Sequence, residues 1–527
     1  MDRNESLRRI YERTTPFDLL IIGGGATGVG VAMDAASRGY DVALIEQADF
    51  GKGTSSRSTK LVHGGVRYLQ QGNITLVRDA LRERTLLRRN APHLVHDMPF
   101  VIPCEHWWQK IYFGIGLKLY DLLAWSDNFG SSHGASQSDI ARDLPTLAAE
   151  KFSGGVVYHD GQFDDSRLLI NMARTAADHG ASLVNGMGAT ELVKNDDGRI
   201  VGVVAVDHET SETVTIRANT VINAAGPFCD AVRRMDKADC QPMLAASQGV
   251  HVVLPRSFFP GDVSLIVPKT SDGRVLFIIP WHDRVLVGTT DTPIPTPSLE
   301  PVAQEQEIQF LLDTTSEYLT HPPTRSDVRS VFVGIRPLVR GDKSARTASL
   351  SRDHVIRVED SGLMTITGGK WTTVRKMAED CVDRAITVSG LAKKPCVTPT
   401  LHLHGYAAET NADVARSFYG SDLAAIEQLE SDTPDLARRL SDDHPIHRSE
   451  VVWAVRHEMA RTVDDVLARR TRLLLLDADA AVAVCGDVAR LIADELGHDD
   501  AWCADQVAQF TAMARQYQIQ NFGTPAT

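Results

Sequence analysis

The residues best suited to chemistry begin with a set of glycines. Gly23, Gly25 and Gly28 follow the pattern G-x-G-x-x-G, with Ala26 and Thr27 between the last two. Glycine at the first place permits a tight turn, at the second lets the backbone approach a pyrophosphate, and at the third lets helix and strand pack closely. Glu46, 18 residues beyond Gly28, is spaced to take the hydroxyls of an adenosine ribose. The chemistry implied is recognition of a dinucleotide, and this motif alone admits NAD or FAD.

Such a site needs a strand, a turn and a helix in that order. Phe17–Ile22 is an apolar run of strand type, Val29 to Arg38 is rich in small residues and ends at Gly39, and Asp41–Ile45 is a second strand that stops at Glu46. This reads as a βαβ unit whose helix N-terminus offers free N–H groups to an anion.

The whole chain supports a folded enzyme-sized body. Its 527 residues suffice for two to four domains, and 43% hydrophobic with 23% charged residues is an ordinary globular composition. A net charge of -13 argues against a phosphate-backbone partner, so no nucleic acid is expected. Seven scattered cysteines, never C-x-x-C, fit a reducing cytosol better than a disulfide framework. His402-x-His404, and His444 with His447 beside Asp442 and Asp443, lack firm metal-ligand spacing; they read as solvated loop histidines, with no metal expected. Met1 to Arg13 has no apolar core of the secretory type, and no run reaches the roughly 20 apolar residues of a membrane span.

Seven spaced motifs extend this reading. Gly53-Thr54-Ser55-Ser56-Arg57-Ser58-Thr59-Lys60-Leu61-Val62-His63-Gly64-Gly65-Val66-Arg67-Tyr68-Leu69 is followed by Asn223–Gly226, Gly249–His251, Gly288–Asp291, Gly334–Leu338, Ser351–His354 and Gly368–Thr373. Together they resemble the FAD-dependent glycerol-3-phosphate dehydrogenases, respiratory enzymes that pass electrons to quinone. Met459–Arg472 is similar to the helical tail of that family, so the resemblance covers nearly the whole chain.

A flavin site agrees with the residues. The hydroxyls of Thr54, Ser55, Ser56, Ser58 and Thr59 suit a polyphosphate or ribityl chain, with Lys60 and Leu61 continuing the segment. His63 with Gly64-Gly65 permits close approach to a flat ring, and Ala225-Gly226 ends a second strand returning to the nucleotide. Gly369, Lys370, Trp371 and Thr372 give a third approach.

The resemblance implies glycerol 3-phosphate as substrate, a dianion with a secondary alcohol. Arginine forks suit its phosphate, and the family motifs supply Arg67, Arg336 and Arg352, with Tyr68 and Lys370 nearby. Arg57 is a poorer choice. Oxidation requires a base at the hydroxyl, for which His251 comes first, with His63 and Lys370 as alternatives. His251, Arg336 and Lys370 are thus the expected catalytic group. The alternatives are an oxidase on the same fold that reduces oxygen, and a flavin-carrying binding protein without turnover.

Trp107 to Trp125 carries six aromatic residues in 19, interleaved with Lys110 and Lys118. Such a segment is either a helix buried against the core or one at the headgroup level of a membrane. Arg82, Arg84, Arg88 and Arg89 on a helix from Thr75 read as a solvated face, open to anionic lipid. The expected place is therefore the cytoplasmic side of an inner or plasma membrane, peripherally attached, with quinone as partner; a homodimer is compatible.

The expected fold is α/β, with a Rossmann-type FAD-binding domain (1–90, 150–245 and 350–395), an antiparallel-sheet substrate or cap domain (91–149 and 246–349) and a helical C-terminal domain (400–527). Val275–Ile279 and Val285–Gly288 form a hairpin and Glu305–Tyr318 a helix. Helices are also expected at 413–429, 448–461, 463–472 and 480–496, with Thr462 and Asp465 as a capping box.

Overall fold

The computed structural model describes residues 1–66, 73–124, 128–271, 273–340, 354–408 and 416–522. Arg67, Tyr68, Arg352 and Trp125 lie outside the described residues.

Two sheets carry the fold. In the first, Met364–Gly368, Thr213–Asn223, Phe17–Ile22, Val42–Ile45 and Ser182–Val184 run parallel in that spatial order. His354–Val358 adds an antiparallel edge, and Ile200–Asp207 and Met187–Lys194 extend Thr213–Asn223 as a meander. The apolar run Phe17–Ile22 is buried on both sides, which is why it does not alternate. Leu19 and Ile21 pack into the core shared with helices Ala26–Ser37, Asp165–Asp178 and Val374–Ser389, whereas Leu20 and Ile22 face the meander core. Burying each such side chain contributes about 1.5–3 kcal/mol, and truncating one to Ala costs about 2–5 kcal/mol.

The second sheet is antiparallel except where Ser264–Val267 runs parallel to Val95–Cys104. It includes Leu61–Val62 and Gly154–Phe163 from the stretches assigned by sequence to the nucleotide domain, together with Leu244–Pro255, Leu276–Trp281, Arg284–Gly288 and Ser330–Val339. Period-two alternation divides its faces. Val250, Val252 and Leu254 pack on helix Glu305–Tyr318, while Val253 and Phe332 face the C-terminal residues Leu473–Leu476.

The C-terminal region is mainly helical: Leu423–Asp432, Arg448–Glu458, Leu473–Leu476, Ala478–Leu496 and Asp500–Ala514. The last of these was not anticipated. Asp465 and Thr462 do exchange capping hydrogen bonds, but the turn they open, Asp465–Arg470, is a π-helix.

Two sequence readings are corrected. Arg84 is fully buried and its Nη1 donates to Asp160 at 2.8 Å, while Arg82, Arg88 and Arg89 are exposed. His444 is buried on a short strand beside Arg284 and Asp477, and His404 and His447 are partly buried against Asp178 and Glu430, so none of the three is a freely solvated loop group. Among the described residues no cluster has the makings of a metal site.

Of the two alternatives for the aromatic segment, burial against the core does not hold along the length of helix Trp107–Ala124. Leu117, Tyr120 and Ala124 face inward, whereas Trp107 is 70% and Ile115 69% exposed. Among the described residues no helix is long and apolar enough to cross a membrane.

Candidate active site

A cavity of about 290 Å³ opens at the carboxyl ends of the parallel strands, where the chain leaves Phe17–Ile22 in one direction and returns along Thr213–Asn223. Gly23, Gly25, Ala26, Thr27, Glu46, Thr54, Ser55, Ala225, Gly226, Gly369, Lys370 and Trp371 line it, all from the expected set. Gly28 lies beneath, where a Cβ would overlap the Gly23 carbonyl oxygen. A Cβ on Gly23, which has φ +113°, would in turn meet the Ala224 carbonyl. The turn is therefore a backbone cradle that no larger residue would preserve.

Glu46 shapes the turn before any ligand enters. One carboxylate oxygen accepts the Gly24 N–H at 2.6 Å and the other the Ala48 N–H at 2.9 Å. Burial raises its pKa, and the two backbone hydrogen bonds oppose that rise. A carboxylate has lone pairs left for a ribose hydroxyl. Ser55 Oγ accepts the Ala26 N–H at 2.9 Å, and Trp371 Nε1 donates to the Ser55 carbonyl at 2.9 Å, which joins three separate chain segments at the cavity wall. A cavity lined by three separate chain segments, a glycine cradle at a helix N-terminus and an acid at the second strand's end fit FAD.

Other residues of the Ser/Thr-rich segment turn elsewhere. Ser56 Oγ donates to the Gly51 carbonyl, and Ser58 Oγ donates to Asp165 at 2.7 Å. Lys60 is fully buried, its ammonium shared between Asp165 and the Ser56 carbonyl at 2.7 Å each. Burial raises the Asp165 carboxyl, with Lys60 the main opposing influence. Leu61 is buried in the second sheet, and His63 exchanges backbone hydrogen bonds with the Thr372 hydroxyl.

Beyond the segment 54–59, the second sheet brings His251 and Arg336 together. Their strands pair antiparallel, with His251 opposite Phe332 and Ser247 opposite Arg336, so both side chains share one face. The Arg336 fork runs back along that face over Gly249, where a Cβ would strike it, and donates to Thr289 Oγ1 at 3.2 Å. Asp291 lies 3.3 Å from its other nitrogen and is also bonded by Ser247. Gly288 likewise leaves room for the His251 ring, which stacks on Phe332 with centroids 4.8 Å apart. Thr59 reaches the same place, its hydroxyl 3.0 Å from His251 Nε2.

The His251 ring is buried, and Nδ1 has no hydrogen-bond partner among the described residues. Burial, then the charges of Arg336 and Lys60, press its pKa well below the ordinary value. The imidazole is thus neutral and keeps a lone pair for a proton.

Sequence reasoning missed a second layer. Tyr120, inward on helix Trp107–Ala124, accepts the Gly64 N–H at 2.9 Å and donates to Asp160 at 2.8 Å. Arg84 completes this buried set. Lys52, Gln47, Phe228 and Met377 also line the cavity without having been singled out. Only Lys52, next to the Ser/Thr-rich segment, carried a sequence signal.

Fold and cavity define a class. Residues 18–375 match the family described as FAD dependent oxidoreductase, and 364–503 the C-terminal domain of alpha-glycerophosphate oxidase. The mitochondrial glycerol-3-phosphate dehydrogenase of Arabidopsis thaliana is 43% identical, covering 91% of this chain and 83% of its own. The human mitochondrial enzyme of that name is 40% identical over 93% and 72%. A Bacillus halodurans glycerol-3-phosphate dehydrogenase solved with FAD superposes with a TM-score of 0.80 at 28% identity, covering 99% of both chains. The chain belongs to the glycerol-3-phosphate dehydrogenase family of FAD-dependent oxidoreductases.

Proposed function

We propose that this protein oxidises sn-glycerol 3-phosphate to dihydroxyacetone phosphate and delivers the electrons to a membrane quinone. The observation that carries the reading is the meeting of neutral His251, hydroxyl-bearing Thr59 and the Arg336 fork, the last next in sequence to Pro337, which lines the cofactor cavity.

Bound FAD supplies a two-electron acceptor for the hydride that leaves the second carbon. The chain's own residues do the rest. Arg336 holds the substrate phosphate through a planar fork that cannot lose its charge, with Arg67 and Arg352 as further cations. Asp291, Thr289 and the Gln248 carbonyl fix that fork in advance, so less freedom is lost on binding. Thr59, only partly buried, takes the substrate's hydroxyl proton as the carbonyl forms and passes its own proton to Nε2 of neutral His251, 3.0 Å away. Lys370, on the cavity wall, adds positive charge near the developing oxyanion.

The acceptor reading rests on helix Trp107–Ala124. Trp107, Trp108, Ile111, Tyr112, Ile115, Leu119 and Leu122 form one exposed apolar stripe at helical spacing, with Lys118 beside it. Aromatic side chains at this density with flanking lysines suit the headgroup level of a bilayer, where quinone is dissolved. A chain with net charge -13 can still dock this way, because salt screens distant charges within roughly 10 Å.

The test reduces the holoenzyme anaerobically with substrate, then offers a quinone in lipid vesicles and oxygen in separate runs. Fast reoxidation by the quinone with little peroxide is expected. Peroxide formation at the rate of dye reduction would make the protein an oxidase instead.

A further inference from the structure

The C-terminal region grips the cofactor loop from behind. Between Glu46 and Arg57 the chain wraps the cavity, and Glu46, Lys52, Gly53, Thr54 and Ser55 line it. The outer side of the same loop is held by residues from more than 400 positions later. Arg470 forks onto both oxygens of Asp49 at 2.7 and 2.9 Å, and Arg469 Nε donates to Asp49 at 2.5 Å. Asp464 takes the Lys52 ammonium at 2.6 Å, and the Tyr517 hydroxyl accepts from Arg57 at 2.9 Å. Glu300, from the second-sheet region, closes the set against Lys52 and Arg57.

This is more than generic domain packing, for two reasons. Asp49 is 2% exposed and Arg469 and Arg470 are 2% and 0% exposed, so the charges are matched in a place where an unmatched one is strongly penalised. Burial alone would raise the Asp49 carboxyl, yet Arg470 and Arg469 hold it at about 2. The held turn also contacts the phosphate cradle directly: the Gly51 N–H donates to the Gly24 carbonyl at 3.0 Å, and the Gly24 N–H donates to Glu46 at 2.6 Å. A continuous set of bonds runs from Arg470 through Asp49 and the 49–52 turn to Gly24.

We infer that the C-terminal region sets how tightly the protein retains FAD, with Asp49 as a positioning residue through which Arg469 and Arg470 hold the nucleotide loop. No contact between these three residues and the cofactor is required. The inference rests on the cofactor class alone and stands whatever the substrate or electron acceptor proves to be.

The test dilutes the yellow holoenzyme and follows free flavin fluorescence, which reports release of FAD without turnover. Asp49→Asn is expected to speed release by about tenfold or more, while kcat and KM measured in excess FAD stay within about twofold. Arg470→Lys, which keeps the charge and loses the fork, is expected to lie between Asp49→Asn and the parent, and it serves if Asp49→Asn does not fold. Leu491→Ala, in the core of helix Ala478–Leu496, is the comparison: it lowers thermal stability and leaves release within about twofold. The inference is overturned if Arg470→Lys and any folded Asp49→Asn release FAD no faster than Leu491→Ala does. It is equally overturned if excess FAD fails to restore turnover.

Discussion

His251 and Thr59 meet across 192 residues of sequence, with Nε2 3.0 Å from the threonine hydroxyl. The ring is thereby fixed against Phe332, with its other nitrogen unbonded among the described residues. As the proposed base, a neutral ring needs no proton removed before it acts. Its pKa is displaced far below the usual value near 6.5, so substrate-driven flavin reduction should show no limb at that pH. Rapid-mixing rates from pH 6 to 9 check this; a clear His-type fall near 6.5 that vanishes in His251→Asn would remove the neutral-base account. His251→Asn itself is expected to slow reduction by about 10²–10⁴.

In the proposed mechanism Arg336 binds the phosphate and His251 serves the chemistry. Replacing it by Lys keeps the charge but loses the fork that Asp291 and Thr289 orient. Steady-state kinetics should show KM for glycerol 3-phosphate rising by roughly one order of magnitude, and Arg336→Ala should lower kcat/KM by about two orders or more. Unchanged KM in both variants would place the phosphate elsewhere.

Arg167 and Glu458 form a fully buried bidentate pair at 2.7 and 2.8 Å that joins helix Asp165–Asp178 to the C-terminal region. Burial would raise Glu458, but the Arg167 charge and hydrogen bonds bring it down to about 2. A depressed carboxyl contributes stability that is fully present above its unfolded value, about 4.3, and is lost as pH falls toward 2. Glu458→Gln should destabilise by about 3–5 kcal/mol at pH 7 and flatten the acid slope over that window. Urea unfolding at pH 7 and at several acid values measures both effects.

The stripe on helix Trp107–Ala124 should matter for the acceptor and not for the substrate. With Trp107, Trp108 and Ile115 changed to Ser, sedimentation with anionic vesicles should be lost, since each large side chain contributes on the order of 1.5–3 kcal/mol of apolar burial. Quinone reduction should fall at least about tenfold while soluble-dye reduction holds within about twofold. Retained vesicle binding would assign the membrane contact to another surface.

What the sequence made legible was local. Gly28 and Glu46 act through close chain neighbours, Gly23 for the one and Gly24 and Ala48 for the other, so spacing alone carried the turn and its acid, whereas the Ala224 carbonyl that crowds Gly23 had no local signal. The hairpin at Leu276–Trp281 and Arg284–Gly288 was readable for the same reason. Arg84 shows the limit. It continues the buried stripe of Val77 and Leu81 at helical spacing, yet a charged residue there reads as solvated unless its partner is known. That partner, Asp160, lies 76 residues away with no spacing to announce it. Asp49 with Arg470 is the extreme case, 421 residues apart. His251 and Arg336 came from the family resemblance, but their shared face, and the need for Gly249 and Gly288 beneath them, follow only from strand register.

The central claim is that this site oxidises glycerol 3-phosphate. The most direct measurement adds that substrate to the yellow holoenzyme without oxygen and follows the flavin band. Complete bleaching, with one dihydroxyacetone phosphate formed per flavin, is the predicted result. A band that glycerol 3-phosphate leaves unchanged, in protein that dithionite bleaches fully, would contradict it.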